Sequence, residues 1–180
     1  MVEKTIKHFQ GKNPFILDAG TGSGCILLSL LSEMKQSRGI GVDISRKAID
    51  LAFKNAKKFN LAGRAKFYKR AVNEIYGYKF DLIVSNPPYI CTNQIKNLSE
   101  DIRKYEPKAA LDGGNDGLDV IKKVIYKSKT ILKKKGILAL EIGHGQYKEV
   151  SQILKLQGFK DRLLIKDYQD NIRCILTMLN

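Results

Sequence analysis

The sequence of 180 residues predicts a doubly wound α/β domain: an open, mostly parallel sheet of seven strands with helices on both faces and a terminal antiparallel hairpin. Three observations predict it. Short apolar, β-branched runs alternate with stretches of helical periodicity. A glycine-rich loop, Asp18-Ala19-Gly20-Thr21-Gly22-Ser23-Gly24, lies between an apolar run and an apolar helical stretch. Four polar residues, Asp18, Asp43, Asn86 and Glu141, each fall where an apolar run ends. In an open α/β sheet that is the carboxyl edge of the strands, where ligands bind.

Taken in order, residues 2–10 carry Val2, Ile6 and Phe9 at helical spacing, with Gly11 to close the helix. Phe15-Ile16-Leu17 is a buried strand, and residues 25–31 are apolar enough for a buried helix beyond the glycine loop. Strand, glycine loop and helix open a Rossmann-like nucleotide-binding unit. Alternate glycines let backbone approach a ligand and aim amides at it. No Gly-Lys-Ser/Thr follows, which excludes a P-loop, and Cys25 breaks the dinucleotide fingerprint. Ile40-Gly41-Val42-Asp43 is the next strand, and its acid stands where such a unit places a ribose-binding carboxylate. Ser45 caps a helix over 46–59, with Ile49, Phe53 and Ala56 on one face.

Residues 65–68 form a third strand, and Phe80 opens a fourth. The connection after Tyr89, to about residue 115, has turn residues and little periodicity; a connection that long is functional or mobile. Asp116 can cap a helix to about residue 134, and a strand over 136–142 ends at Gly143-His144-Gly145. A helix over 146–157, closed by Gly158, precedes strands at 159–165 and 172–179. His144 reads as structural.

Composition bounds the function. Hydrophobic residues at 43% and charged residues at 28% describe a globular chain. No apolar run approaches the roughly 20 residues of a membrane span, and residues 1–4 begin no signal peptide. Cys25, Cys91 and Cys174 form no Cys-x-x-Cys pair, so neither zinc site nor disulfide framework is indicated, and a reducing cytoplasm fits. The net charge of +14 favours an acidic partner such as nucleic acid or a ribonucleoprotein. The lysines are spread over most segments, however, as a lysine-rich background would also leave them.

The most informative stretch is Phe80-Asp81-Leu82-Ile83-Val84-Ser85-Asn86-Pro87-Pro88-Tyr89-Ile90. Two prolines remove two backbone donors and fix two φ angles, so the strand stops in a stiff turn. The turn presents the Asn86 amide, freed carbonyls and the Tyr89 ring. Acceptors beside a flat apolar plate suit a planar, NH2-bearing group, either an amide or a nucleobase amine.

These features together resemble the class I S-adenosylmethionine-dependent methyltransferases. They resemble more closely the PrmC/HemK family of protein-(glutamine-N5) methyltransferases of peptide-chain release factors. Leu17 through Gly24 is similar to the family's cofactor loop, and Val84-Ser85-Asn86-Pro87-Pro88-Tyr89-Ile90 to its substrate-amide motif. Tyr105-Glu106-Pro107, Ala110-Leu111, Gly114 and Asp116-Gly117-Leu118 are similar to the segment that follows, and Leu140-Glu141-Ile142-Gly143 and Arg173 also fit. The resemblance implies S-adenosylmethionine as cofactor, held by Asp18, Gly20, Thr21, Gly22, Ser23, Gly24, Asp43, Ala71 and Asn86. It implies that Asn86, Pro87, Pro88 and Tyr89 hold the substrate glutamine, with Asn86, Pro87 and Tyr89 serving catalysis. Two departures stand out. Where the family often has an acid and then a large apolar residue near the adenine, this chain has Arg70 and Ala71. The family's N-terminal helical domain is also expected to be absent.

The implied partner is a release factor, free or on the ribosome, with direct nucleic-acid contact open to the basic surface. Rival readings are an adenine-amino nucleic-acid methyltransferase, a ribosomal-protein glutamine methyltransferase, and a non-catalytic relic that binds a partner without cofactor.

Overall fold

A computed structural model describes the backbone of all 180 residues and the side chains of all but residues 161 and 162. Seven strands form one sheet: β1 (Phe15–Ala19), β2 (Arg38–Asp43), β3 (Ala65–Lys69), β4 (Phe80–Ser85), β5 (Leu132–Glu141), β6 (Phe159–Lys166) and β7 (Ile172–Leu179). Their order is β3-β2-β1-β4-β5-β7-β6. β7 runs antiparallel to both its neighbours, and the other pairings are parallel. The chain runs outward from β1 to β3, then returns to place β4 on the other side of β1. The switch point therefore lies between the carboxyl ends of β1 and β4, where Ala19 pairs with Ser85.

Side-chain alternation divides the core between the two faces. Ile16, Leu82, Val84, Ile137 and Ala139 pack beneath α2 (Cys25–Glu33), which contributes Leu27, Leu30 and Leu31; α1 (Val2–His8) packs against α2. Leu17, Ile83, Leu138 and Leu140 pack on the opposite face with α6 (Asp119–Ile131) and α7 (Tyr147–Leu156). The third helix, α3 (Arg46–Lys58), covers β2 and β3 and buries Ile49, Ala52 and Ala56. Gly39 shows how tightly α2 sits: a Cβ there would lie 2.3 Å from Leu27 Cδ1.

Two expectations need correction. The connection after Tyr89 is not irregular. It folds as a 3-10 turn over Thr92–Asn97 followed by α4 (Glu100–Tyr105) and α5 (Lys108–Leu111). Each piece is too short to show periodicity in the sequence. The helix expected over 116–134 starts at Asp119 and ends at Ile131, and β5 begins at Leu132 rather than at residue 136. Leu132 pairs with Phe80, whereas Leu82 pairs with Ile137, so Lys133 to Gly136 bulge from the ladder. Lys135 takes a positive φ of 63° within that bulge.

Candidate active site

Three turns meet at the carboxyl edge. The first is the glycine loop after β1. Gly20, Gly22 and Gly24 have φ of 76°, 54° and 81°, conformations that cost any other residue strain. The amides of Gly20 and Thr21 both donate to the Val42 carbonyl at 2.9 Å. A Cβ at Gly24 would lie 3.2 Å from Ala52 Cβ, so this glycine also admits α3. A Cβ on Gly20 or Gly22 would meet nothing within 4 Å. Those two glycines therefore border open space, as a loop built to let a ligand approach its backbone must.

Asp18 anchors the loop from below. It is fully buried, and its Oδ2 accepts from Thr21 Oγ1 at 2.7 Å and from the Leu27 amide at 3.3 Å. Its other oxygen, Oδ1, has no partner among the described residues. Burial pushes its pKa up to about 6; the bonds from Thr21 and Leu27 pull it down, and nearby Asp43 adds to the rise. Asp43 ends β2 and is half-buried. Its Oδ2 accepts from the Gly22 amide at 3.0 Å and its Oδ1 from the Ser45 amide at 2.8 Å. Two amides thus orient the carboxylate and leave lone pairs for diol hydroxyls.

The second turn follows β3. Arg70 is exposed, with its guanidinium 5.9 Å from the Tyr68 ring centre, and its amide donates to the Asp43 carbonyl at 2.9 Å. Ala71 is half-buried, and Glu74 Oε2 accepts from its amide at 2.9 Å. Ile44, which belongs to no motif in the sequence, stands beside Asp43 with 58% of its surface exposed. An exposed apolar residue beside that carboxylate gives the edge an apolar face next to a hydrogen-bond acceptor. The available signal was an isoleucine between that acid and a helix cap, outside any core periodicity.

The third turn carries Asn86-Pro87-Pro88-Tyr89. Ser85 Oγ donates to the Ala19 carbonyl at 2.7 Å, which ties the end of β4 to β1. Asn86 is exposed, and its side chain bonds to no other described residue. Pro87 is buried; Pro88 and Tyr89 are half-buried. Tyr89 is held from two directions. Arg173 Nη2 donates to its hydroxyl at 3.0 Å, with the guanidinium 5.3 Å from the ring centre. Gln146 Nε2 donates to its carbonyl at 3.0 Å and to that of Gly117 at 3.3 Å, while Gln146 Oε1 accepts from the Gly143 amide at 2.8 Å. The tyrosine ring, expected to face a substrate amide, thus also serves to fix the turn. A Cβ on Gly117 would sit 2.5 Å from the Tyr89 carbonyl oxygen, so only glycine fits there.

The 3-10 turn, α4 and α5 are tied to this turn as well. Ile90 donates to Leu111 at 3.1 Å and accepts from Gly113 at 2.8 Å. Thr92 Oγ1 donates to Asp112 Oδ1 at 2.6 Å, a bond that holds the half-buried Asp112 carboxyl below its usual range. Glu141 ends β5, and burial raises its pKa against the opposing charge of Arg173. His144 is exposed. Burial pushes the Cys174 thiol up to about 12, which leaves it inert as a nucleophile. No group of three metal-ligating side chains occurs among the described residues. The arrangement offers backbone donors, one amide-oriented carboxylate, and the side-chain amide and free carbonyls of the Asn86 turn. These groups suit binding and orientation of a ligand.

The methyltransferase domain family matches residues 11–152, and the chain belongs to that family. Its fold is the class I methyltransferase fold: the ribosomal protein L11 methylase of Lactobacillus delbrueckii subsp. bulgaricus superposes with a TM-score of 0.73 over 99% of this chain and 77% of that one, at 18% identity. Among curated relatives, the release factor glutamine methyltransferase of Rhodospirillum rubrum is 39% identical over 176 residues, 98% of this chain and 54% of the relative. That of Agrobacterium fabrum is 41% identical over 160 residues, 89% of this chain and 55% of the relative. The chain thus spans about half the length of these relatives.

Proposed function

We propose that the chain transfers a methyl group from S-adenosylmethionine to the side-chain amide nitrogen of a glutamine in a peptide-chain release factor, within a Gly-Gly-Gln sequence. The observation that carries this reading is Asn86: an exposed amide without an intramolecular partner among the described residues, on a turn braced by Gln146 and Arg173, beside the glycine loop. The named relatives support the choice of substrate. A reaction on the translation machinery would take place in the cytoplasm, and no described helix is long and apolar enough to cross a membrane.

The residues present fit the cofactor. Open space above Gly20 and Gly22 would admit it, Asp43 would accept from its ribose hydroxyls, and Ile44 and Ala71 would lie near its base. The unpartnered, buried Oδ1 of Asp18 supplies negative charge beneath the loop. Bound S-adenosylmethionine supplies an electrophilic methyl on a sulfonium. An amide nitrogen is a weak nucleophile because its lone pair is delocalised into its carbonyl. The Asn86 side-chain oxygen and the Pro87 carbonyl accept its two hydrogens, which draws electron density onto nitrogen and fixes its direction. The same acceptors stabilise the positive charge that develops as the N–C bond forms and the S–C pair returns to sulfur. The proton then leaves to solvent past Asn86, which is exposed.

The test offers labelled S-adenosylmethionine to the purified chain with a release factor, a ribosomal protein and nucleic acid in parallel. Label on the glutamine of the release factor alone is expected. Label on nucleic acid or ribosomal protein in its place would overturn the substrate, and label on none would overturn the activity.

A further inference from the structure

Two cavities open at the edge of the sheet opposite the candidate active site. One, of about 390 Å³, lies between the segment entering β4 and the end of α6; Tyr76, Tyr78, Lys79, Lys127 and Thr130 are among its lining residues. The other, of about 340 Å³, is lined by Asn13, Pro14, Phe15, Gln36 and Arg38. They are neighbours. Tyr78 lines the first and Phe15 the second, and their ring centres are 6.2 Å apart. Phe80 backs both rings, with its centre 4.8 Å from Phe15 and 5.8 Å from Tyr78.

The chemistry of this band is specific. Tyr76 is 72% exposed and Tyr78 40%, so both aromatic rings reach solvent at this edge. Among the described residues, no acid lines either cavity. Lys127 Nζ lies 3.7 Å from the Tyr76 ring centre, and Lys79 is held to the Thr130 carbonyl at 2.8 Å. Asp81, next to Phe80, pairs with Lys133 at 2.8 Å and accepts from the Phe15 amide at 2.8 Å. Exposed rings interleaved with fixed cations form a platform on which bases stack while lysines and arginine meet phosphates.

We propose that this amino-terminal edge of the sheet is a binding surface for single-stranded RNA. The aromatic band Tyr76–Tyr78–Phe15 would receive bases, and Lys79, Lys127 and Arg38 would follow the backbone. The net charge of +14 gives it the long-range attraction such a partner needs. Strands of five or six residues separate this surface from the carboxyl-edge turns, about 17–20 Å at the usual rise. RNA held here leaves the carboxyl edge open, so the chain could be tethered to a ribonucleoprotein while its site works on a protein. The proposal is independent of which substrate is methylated.

The test uses the purified chain and a labelled oligouridine of about twelve nucleotides, followed by anisotropy over a range of salt. Binding that weakens steeply with salt is expected. Tyr76→Ser with Tyr78→Ser, and separately Lys79→Gln with Lys127→Gln, should each weaken it about fivefold or more. Cofactor binding should not change. Replacement of Lys54, Lys57 and Lys58 by Gln on α3 removes more charge and should cost less than about twofold. Ultraviolet crosslinking of the unaltered chain provides a readout independent of any variant's folding, and Tyr76 or Tyr78 should carry the adduct. The proposal is overturned by absence of binding, by crosslinks only elsewhere, or by equal losses from the α3 replacements. Equally tight binding of a polyglutamate of similar charge would overturn it too, since charge alone would then suffice.

Discussion

Asn86 and Asp18 divide the labour at the carboxyl edge, one by being exposed and the other by being buried. Asn86→Ala removes the amide acceptor that the proposed mechanism assigns chiefly to the substrate. Turnover should fall about tenfold to a hundredfold, or ~1–3 kcal/mol, with cofactor affinity within a few-fold. Near-normal turnover by the purified variant would place the substrate amide elsewhere. Asp18 behaves oppositely, because its folded-state pKa, about 6, lies above the ordinary aspartate value of 3.8. The folded protein binds this proton more tightly than the unfolded chain does. Its contribution is therefore fully present below about pH 4 and is lost as pH rises through about 6. The stability of the native chain minus that of Asp18→Asn should fall by up to ~3 kcal/mol across that window, at 1.36 kcal/mol per unit. Urea denaturation at several pH values measures it, and a flat difference would mean that the carboxylate is solvated. Both residues were legible as strand-end polar groups. Their burial was not, since periodicity places a residue on a face but does not say what covers it.

The turn between β5 and α7 has no obvious chemistry, yet it braces the Asn86 turn. Gln146 joins Gly143, Gly117 and Tyr89 through a single side chain. Gln146→Ala should lower turnover about tenfold and leave cofactor affinity within about twofold, because the lost bonds fix the Asn86 turn and not the glycine loop. A variant that loses thermal stability but keeps its turnover would show Gln146 to be a structural residue only. The sequence suggested the elements on either side, but their limits depended on pairing. Ile131 and Leu132 fit a helix as well as a strand, and what ends α6 is the pairing of Leu132 with Phe80. α4 and α5 were invisible for a related reason: four or six residues cannot display a period of 3.6.

For the whole chain, the glycine loop, Asp43 and the Asn86 turn all lie within residues 18–89 and on one rigid sheet edge. Saturating S-adenosylmethionine should therefore stabilise the purified chain. At a hundredfold excess over Kd the gain is about 2.7 kcal/mol, or roughly 5–10 °C in Tm for a domain of this size. Differential scanning fluorimetry would register it, and an unmoved Tm would argue against a formed cofactor site. Strands, main helices, glycine loop and strand-end acids were determined locally, because backbone sterics, hydrophobic period and proline chemistry act over a few residues. Gln146 reaches Tyr89 across 57 residues of sequence, and Arg173 reaches it across 84. Only the folded sheet, with β7 inserted between β5 and β6, brings those side chains to the Asn86 turn. No local pattern encodes such contacts, since they arise from packing between strands whose order the alternation of apolar residues leaves open.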